Sequence, residues 1–274
     1  PSQLLSNSPG AIGIFSQALT KFPRVQQCLG IDKDSHSSSA ALVYPFSLHT
    51  VHLLISKHKA EKKAVPESII ARIYTDVVEA GVGLQRAGLW HPKVSSDSVF
   101  HDTILFCLTN PFLSDDFLSQ QLNLTSASES HRQRVRETRL NENVRQLGIV
   151  LLQLSSLAEE EELVTSDQPL QLNKNNVRAA LKLANSNYDS ALPELIETLL
   201  KGNFKGSTLT FESLIQLSYA LKQSNQTFAA PSPSRNASYA AQAQSATPVK
   251  DAEEPSFFEK LIGYFKGEEK DQDN

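Results

Sequence analysis

Apolar residues recur at helical spacing along most of this chain. The clearest case begins at Pro66, after which Ile69, Ile73, Val77 and Leu84 fall on one wide face. A face this wide has to pack against at least two other helices, because a single neighbour leaves part of it in water. The pattern therefore predicts an all-α fold with a multi-helix, bundle-like body.

The same spacing predicts further helices on both sides of this one. Asp97 is expected to cap a helix that carries Phe100, Leu105 and Leu108 and ends before Pro111. A short strand at 40–46 is conceivable, but Pro45 and the absence of a clear partner strand argue against a sheet. The other expected helices cover residues 9–22, 48–63, 114–122, 128–164 (as one helix or two joined end to end), 175–187, 190–201 and 208–224.

The second half of the 128–164 segment carries a packing seam. Val144, Leu147, Leu151, Leu154 and Ala158 follow one another in steps of three and four residues. The seam spans about two heptads, which is too short for a coiled coil. It predicts a helix that packs along another helix of the same body.

A change of composition divides the chain. Residues 1–228 are expected to form the helical body, with a possible boundary between two subdomains near Thr125. Residues 229–254 contain almost no large apolar side chain, so they predict a flexible linker. A short amphipathic helix at 255–266 and an acidic tail at 267–274 are predicted to follow.

The amphipathic helix is the most informative segment of the sequence. Ser256 and Glu259 have the spacing of a capping box. A helix this short is marginal alone in water, so its apolar stripe needs a surface to cover it. That surface is the body of the same chain, a groove on a partner or a membrane, and the surrounding acidic residues disfavour the membrane. The stripe consists of Phe257, Phe258, Leu261, Ile262 and Phe265.

Composition excludes several classes of protein. The 274 residues have a net charge of −4, which gives no general attraction for nucleic acid. The two cysteines cannot build a disulfide framework, and no apolar run is long enough to span a bilayer. No signal peptide is visible at the N-terminus. We therefore expect a cytoplasmic protein that binds other protein subunits and needs no cofactor.

Charged residues at the two ends of the 128–164 segment oppose the helix dipole. Arginines concentrate near its start and the acidic run 159–162 lies near its end, the reverse of the stabilising arrangement. Either the two blocks are solvated faces, or each contacts an oppositely charged surface within the protein or on a partner. The arginines concerned are Arg132, Arg134, Arg136, Arg139 and Arg145.

Two groups of residues raise the possibility of chemistry. His49 and His52 are three residues apart on a predicted helix. They could bind a metal, but the simpler interpretation is that they are ordinary surface or core histidines. Cys28 and Cys107 have apolar neighbours and are expected to be buried fillers. The sequence therefore commits to no catalytic, cofactor or metal site.

His101 and Asp102 form a pair on a predicted helix, which resembles the HD-domain phosphohydrolases. That resemblance implies a metal-dependent phosphohydrolase as the alternative function. The remaining ligands that it implies are His58 or His91 upstream and Asp115 or Asp116 downstream.

The helical body, the Ser, Asn and Gln content and the acidic end around Glu268 and Glu269 resemble proteins of bacterial Dot/Icm-type IVB secretion. The resemblance implies a non-enzymatic adaptor in the coupling complex of the secretion machine or, as a further alternative, a translocated effector. The sequence thus predicts an interaction subunit that docks through residues 255–266, with the arginine block as an electrostatic contact.

Overall fold

A long helix from Glu129 to Ser156 organises the structure. The Ser128 hydroxyl caps its first turn by accepting a hydrogen bond from the His131 amide at 3.4 Å. The helix ends at Leu157, which adopts a left-handed conformation with φ of 58° and returns its amide to the Gln153 carbonyl. Every residue from 146 to 156 is buried, so this half is covered by protein on all sides.

The computed structural model describes residues 24–27, 30–33, 40–43, 49–102, 105–109, 111, 120, 123–124, 127–167, 169–189, 191–204 and 206–214. Helices contribute most of these residues, and short strands stand between them. In chain order the elements are β1 (Gly30–Lys33), β2 (Ala40–Val43), α1 (Val51–Glu61), α2 (Glu67–Arg86), β3 (Val99–Asp102), β4 (Leu105–Leu108), α3 (Glu129–Ser156), α4 (Glu160–Leu163), β5 (Val164–Asp167), β6 (Leu170–Leu172), α5 (Lys174–Asn187), α6 (Ala191–Lys201), β7 (Asn203–Phe204) and β8 (Ser207–Thr208).

The strands pair as antiparallel hairpins, so the prediction of an all-α fold is wrong. Within the described residues β1 pairs with β2, β3 with β4, β5 with β6 and β7 with β8. The sequence argued against a sheet near residue 40, yet Ala40 pairs with Lys33 and Val43 with Gly30. The partner strand that the sequence did not reveal is Gly30–Lys33, whose polar residues Asp32 and Lys33 obscure the pattern of a strand.

The predicted helix at 97–110 is the β3–β4 hairpin. Phe100 pairs with Cys107 and His101 with Phe106. Both faces of the hairpin are largely covered, so Phe106, Cys107 and Leu108 are buried in succession. A strand buried on both sides loses its alternating pattern, and its apolar run cannot be told from a helix by periodicity alone.

Neighbouring segments extend the edges of this hairpin. The Gln26 amide donates to the Leu108 carbonyl at 2.8 Å, and the Leu108 amide donates to the Arg24 carbonyl at 2.8 Å. On the other edge the His101 amide donates to the His49 carbonyl at 2.8 Å. These bonds satisfy backbone groups that an isolated hairpin leaves open.

Helix α2 supplies one wall of the core and fastens the hairpin to it. Ile73 and Val77 are fully buried, as the wide apolar face predicts. Asp76 lies on the same helix, is only 4% exposed, and accepts a hydrogen bond from the Phe106 amide at 2.9 Å. Arg24 neutralises this carboxylate, with 3.3 Å between Nη2 and Oδ1.

Most of the other helix predictions hold with small shifts of their ends. The helix expected at 48–63 covers Val51–Glu61, and the one at 175–187 covers Lys174–Asn187. The 128–164 segment is two helices, since the chain breaks between Ser156 and Glu160. The expected helices at 9–22 and 255–266 lie outside the described residues, as do most of those at 114–122 and 208–224.

The predicted seam is part of the core, and the core crosses residue 125. Val144, Leu147, Leu151 and Leu154 are fully buried in one cluster that also includes α2 residues and Leu214. The subdomain boundary near Thr125 and the linker boundaries stay predictions. Among the described helices, none is long and apolar enough to cross a membrane.

Gly81 allows α2 to pack against the segment that follows β8. A Cβ built on Gly81 would lie 2.4 Å from Cγ of Phe211, whose ring is 1% exposed. We expect Gly81→Ala to lower the free energy of unfolding by about 1–3 kcal/mol, because the overlap outweighs the gain in helix propensity. Urea unfolding monitored by circular dichroism measures it.

A double-mutant cycle provides the control. Phe211→Ala alone should cost about 3–5 kcal/mol, as is usual for a buried phenylalanine. Adding Gly81→Ala in that background should cost nothing further, because the ring that obstructs the new Cβ has gone. Equal costs of Gly81→Ala in both backgrounds would contradict the steric explanation.

Candidate functional site

A loop of buried polar residues connects α2 to β3 and forms the candidate site. It begins after Gly88, which has a positive φ of 73° and so suits the turn. His91 is 3% exposed and Ser96 2% exposed, although the loop has no regular secondary structure. Buried backbone in a loop needs hydrogen-bond partners from elsewhere in the structure.

Two polar side chains in the middle of α3 supply those partners. The Asn143 amide group accepts from the His91 N–H at 2.9 Å and donates to the His91 carbonyl at 2.7 Å. Gln146 accepts from the Val94 N–H at 2.9 Å and from Asn143 Nδ2 at 3.1 Å. Both side chains are buried, so the loop is fixed directly to the central helix.

The His91 ring links this loop to the end of β4. Its Nε2 lies 3.1 Å from the Thr109 carbonyl oxygen, and its Nδ1 lies 3.3 Å from the Lys93 amide nitrogen. The Lys93 N–H can only donate, so Nδ1 accepts and the proton resides on Nε2, which donates to Thr109. Burial lowers the pKa of His91 to about 4, which keeps the ring neutral.

Ser95 and Ser98 close the loop just before β3. The Ser95 amide donates to Ser98 Oγ at 2.8 Å, and Ser98 Oγ donates to the Ser95 carbonyl at 3.0 Å. The Ser98 carbonyl in turn accepts from the Thr109 amide at 2.8 Å. The hydroxyl of Ser98 is thereby used within the loop itself.

Lys93 extends from the loop toward acidic residues after α3. Its Nζ lies 2.7 Å from Glu160 Oε1 and 2.9 Å from Asp167 Oδ2. Burial alone would lower the pKa of Lys93, but the hydrogen bonds to Glu160 and Asp167 outweigh it and raise the pKa. The ammonium group therefore stays charged. It borders a cavity of about 310 Å³ whose lining also includes Asp97 and Glu161.

His101 and Asp102 lie on strand β3. The prediction that they lie on a helix, on which the HD-domain resemblance depended, is therefore wrong. Successive residues of a strand point to opposite faces, so the pair does not converge on one site. His101 packs against Phe106 with 4.9 Å between ring centroids. Among the described residues no group of three or more His, Cys, Asp or Glu side chains is placed to hold a metal ion. Asp115 and Asp116 lie outside those residues.

The other histidine and cysteine candidates are also placed. His49 precedes α1, which begins at Val51, so His49 and His52 do not share a helix face as expected. Cys107 is 5% exposed, and burial raises the pKa of its thiol to about 11. It is therefore a poor nucleophile at neutral pH. Cys28 lies outside the described residues.

Four arginines of the block lie in the first half of α3, where carboxylates of the same helix engage two of them, and Arg145 lies in the second half and donates to the Leu200 carbonyl at 3.1 Å. Arg132 pairs with Glu129 and Arg139 with Glu142, each at 2.8 Å. Arg136 lies against Gly88, and Arg134 is exposed. A contact of this block with a partner stays a prediction.

The acidic run 159–162 reaches other parts of the chain. Glu159 pairs with Lys59, and Glu160 pairs with Lys93. The apolar stripe Phe257, Phe258, Leu261, Ile262 and Phe265 lies outside the described residues, so its partner-binding role also stays a prediction.

Sequence reasoning missed the loop and its anchors. At the level of sequence His91 stands only as a candidate upstream ligand in the HD-domain resemblance, and Asn143 and Gln146 lie unremarked within the segment of the seam. One signal was available. Asn143 lies next to Val144 at the edge of the apolar face, and a buried amide requires a partner. Gln146 lies outside that face, so no local signal marks it.

Comparison with known proteins finds similarity at the level of structure alone. No family model matches the chain, and no curated protein matches it. A Neurospora crassa PAN3 pseudokinase mutant superimposes with a TM-score of 0.53 at 19% identity, over 79% of this chain and 53% of that one. The chain has a kinase-like fold.

Two further structures agree with this assignment. A complex of Neurospora crassa PAN2 with PAN3 matches with a TM-score of 0.52 at 16% identity, over 77% of this chain and 51% of that one. The PAN3 pseudokinase without the mutation matches with a TM-score of 0.50 at 18% identity and the same coverage. The chain thus spans about half the length of the structures it matches.

The lowered pKa of His91 predicts a pH-dependent stability. In the unfolded chain His91 has the ordinary histidine pKa of about 6.5, whereas in the folded protein its pKa is about 4 and the ring stays neutral down to that pH. The unfolded state therefore takes up more protons as the pH falls through this window, so stability falls with it. We expect His91 to account for a loss of about 3 kcal/mol between pH 7 and pH 4.

Urea unfolding at several pH values measures this loss. His91→Gln should unfold more easily at pH 7 and should lack the His91 part of the slope below pH 6.5. His131→Gln, at an exposed position of α3, should keep the wild-type slope. An unchanged slope in His91→Gln would show that His91 is not the titrating group.

Proposed function

We propose that this protein is a non-catalytic interaction subunit with a kinase-like fold. The observation that carries the proposal is Lys93, a charged ammonium held by Glu160 and Asp167 in the buried loop. In a kinase-like fold this loop is the place to look for the catalytic machinery, and its residues are unsuited to phosphoryl transfer.

The loop can be compared with the kinase catalytic signature. Active kinases carry H-R-D-L-x-x-x-N, in which the Asp accepts the substrate proton and the Asn holds a magnesium ion. From His91 to Ser98 this chain contains H-P-K-V-S-S-D-S. The histidine and the fourth, apolar position agree, while Lys93 and Ser98 stand where the Asp and Asn are required.

These differences remove the groups that active kinases use to accept the substrate proton and to bind magnesium. An ammonium ion cannot accept a proton, and the ion pairs to Glu160 and Asp167 raise the pKa of Lys93 further. The hydroxyl of Ser98 is occupied by the Ser95 carbonyl. The metal-binding triplet Asp-Phe-Gly of active kinases does not occur anywhere in these 274 residues.

The part of the kinase signature that this chain keeps is the histidine, which holds the loop in place. His91 and its anchor Asn143 join the loop, the β4 end and α3 into one rigid unit. Such a unit can present surfaces without performing catalysis. One of the matched structures is a complex of PAN3 with PAN2, and this supports protein binding as the role of the shared fold.

The partner contacts that we propose are those of the sequence analysis. The stripe Phe257 to Phe265 provides apolar anchors, and the arginine block of α3 provides charge. Attachment to a Dot/Icm-type secretion machine stays a prediction, as does the translocated-effector alternative. The three matched structures reported above contain PAN3, and none of them is described as a secretion component.

The absence of phosphoryl transfer is directly testable. The full-length protein that contains this chain, incubated with γ-labelled ATP, Mg²⁺ and a mixed Ser/Thr/Tyr peptide library, should transfer no label above the level of a protein-free blank. An active protein kinase in the same assay is the positive control. Transfer that the wild-type protein performs and a Ser98→Ala variant loses would contradict the proposal.

Partner binding is tested by deleting the tail. The full-length protein, purified gently from the cells that make it, should retain a stoichiometric protein partner, and deletion of 255–274 should reduce that partner at least tenfold in quantitative mass spectrometry. Replacing the same residues with a Gly/Ser segment of equal length controls for chain length. Undiminished recovery after deletion would contradict the role of the tail.

A further inference from the structure

An apolar groove lies between α1, α2 and the β3–β4 hairpin, on a face that the proposed function does not use. Its volume is about 500 Å³, within the range of sites that enclose apolar groups. Leu53 and Leu54 come from α1, Ile69 from α2 and Phe106 from β4. We call this site the α1–α2 groove.

Leu53 marks the groove as unusual. Its side chain is 52% exposed, and among the described residues only Leu183 is a comparably exposed large hydrophobic side chain. Thr50, whose hydroxyl caps α1, fixes the turn from which Leu53 projects. An exposed leucine on the rim of an apolar groove is typical of a surface that another segment covers.

The charged residues around the α1–α2 groove indicate what kind of segment can bind in it. Lys57 and Arg72 line it together with His49 and His101, and none of the described residues that line it carries a carboxylate. The Arg72 side chain is 51% exposed, and its Nε lies 3.9 Å from Oδ2 of Asp76, whose side chain is buried beneath it. The groove therefore favours an apolar segment with acidic flanks.

Two other cavities on the described surface lack this combination. The cavity beside Lys93 is lined by Asp97, Glu160, Glu161 and Asp167, which would repel acidic flanks. The cavity that contains Leu183 includes Glu162 and only one cation, Lys59, which is already paired with Glu159. Charge thus distinguishes the α1–α2 groove from both.

The end of this chain has the complementary chemistry. Its apolar stripe, Phe257 to Phe265, is predicted to occupy one side of a short helix. Residues 251–274 contain eight acidic residues and three lysines, a net charge of −5. A helix with such a stripe needs a groove, and the α1–α2 groove matches both its apolar side and its charge.

The length of the chain favours an intramolecular contact. The 26 residues from 229 to 254 are predicted to be a flexible linker, whose root-mean-square reach is roughly 28 Å. This exceeds the radius of gyration of about 17 Å expected for a body of 228 residues. A linker of that reach gives an effective concentration in the millimolar range, so cis docking outcompetes contact with a second molecule at ordinary concentrations.

We propose that residues 255–266 dock in cis in the α1–α2 groove, with the apolar stripe against Leu53 and Phe106. In the unbound protein the stripe is then covered, and a partner that uses it has to displace it from the groove. Cis docking does not depend on the adaptor function. Only the consequence that a partner has to displace the stripe rests on the proposed adaptor function.

Site-specific photocross-linking in the full chain tests the contact. p-Benzoylphenylalanine placed at Leu53 should cross-link to residues 255–266, as mapped by peptide mass spectrometry, within a product of monomer mass. The same residue placed at Leu183, which is similarly exposed, should give at least fivefold less of this cross-link. Both positions are on the surface, so the substitutions should preserve the fold, which circular dichroism verifies.

Charge and concentration complete the test. Lys57→Glu should lower the yield from position 53 several-fold, whereas Lys182→Glu, on the exposed side of α5, should leave it unchanged. The intramolecular yield should be the same at two protein concentrations. No cross-link to 255–266, equal yields from positions 53 and 183, or a cross-link found only in dimers would each overturn cis docking.

Discussion

The structure depends on the hydrogen bonds between α3 and the loop that precedes β3. Asn143 satisfies both backbone groups of His91, and Gln146 satisfies the amide of Val94. Buried loop backbone without such partners would cost several kcal/mol, enough to unfold a domain of ordinary stability. Because His91 also bonds Thr109, one polar network aligns the central helix, the loop and the hairpin.

This network shows how the proposed non-catalytic role is compatible with a kinase-like fold. The interactions that hold the loop involve His91, Asn143 and backbone groups, none of which has to transfer a phosphoryl group. Lys93, at the position of the catalytic Asp of active kinases, forms ion pairs with Glu160 and Asp167. The side chains that hold the loop rigid are thus different from those at the positions that active kinases use for catalysis.

Sequence patterns were reliable where one face of an element meets the core. The wide face of α2 and the seam of α3 emerged correctly, since an amphipathic helix records its burial in its own period. The β3–β4 hairpin was mistaken for a helix because it is covered on both sides and shows no alternation. The anchors Asn143 and Gln146 were missed because an amide reveals its role only through the group it contacts, 52 residues away along the chain.

The sequence by itself determined most of the described helices and their approximate ends, and it predicts a tail helix that needs a surface. Local spacing is sufficient for these, since each depends on side chains within a few turns of one another. Only the tertiary structure decided the pairing of the strands, the neutral state of His91 and the groove that Leu53 borders. Each of these arises from residues distant in sequence, brought together by burial, so no local pattern contains them.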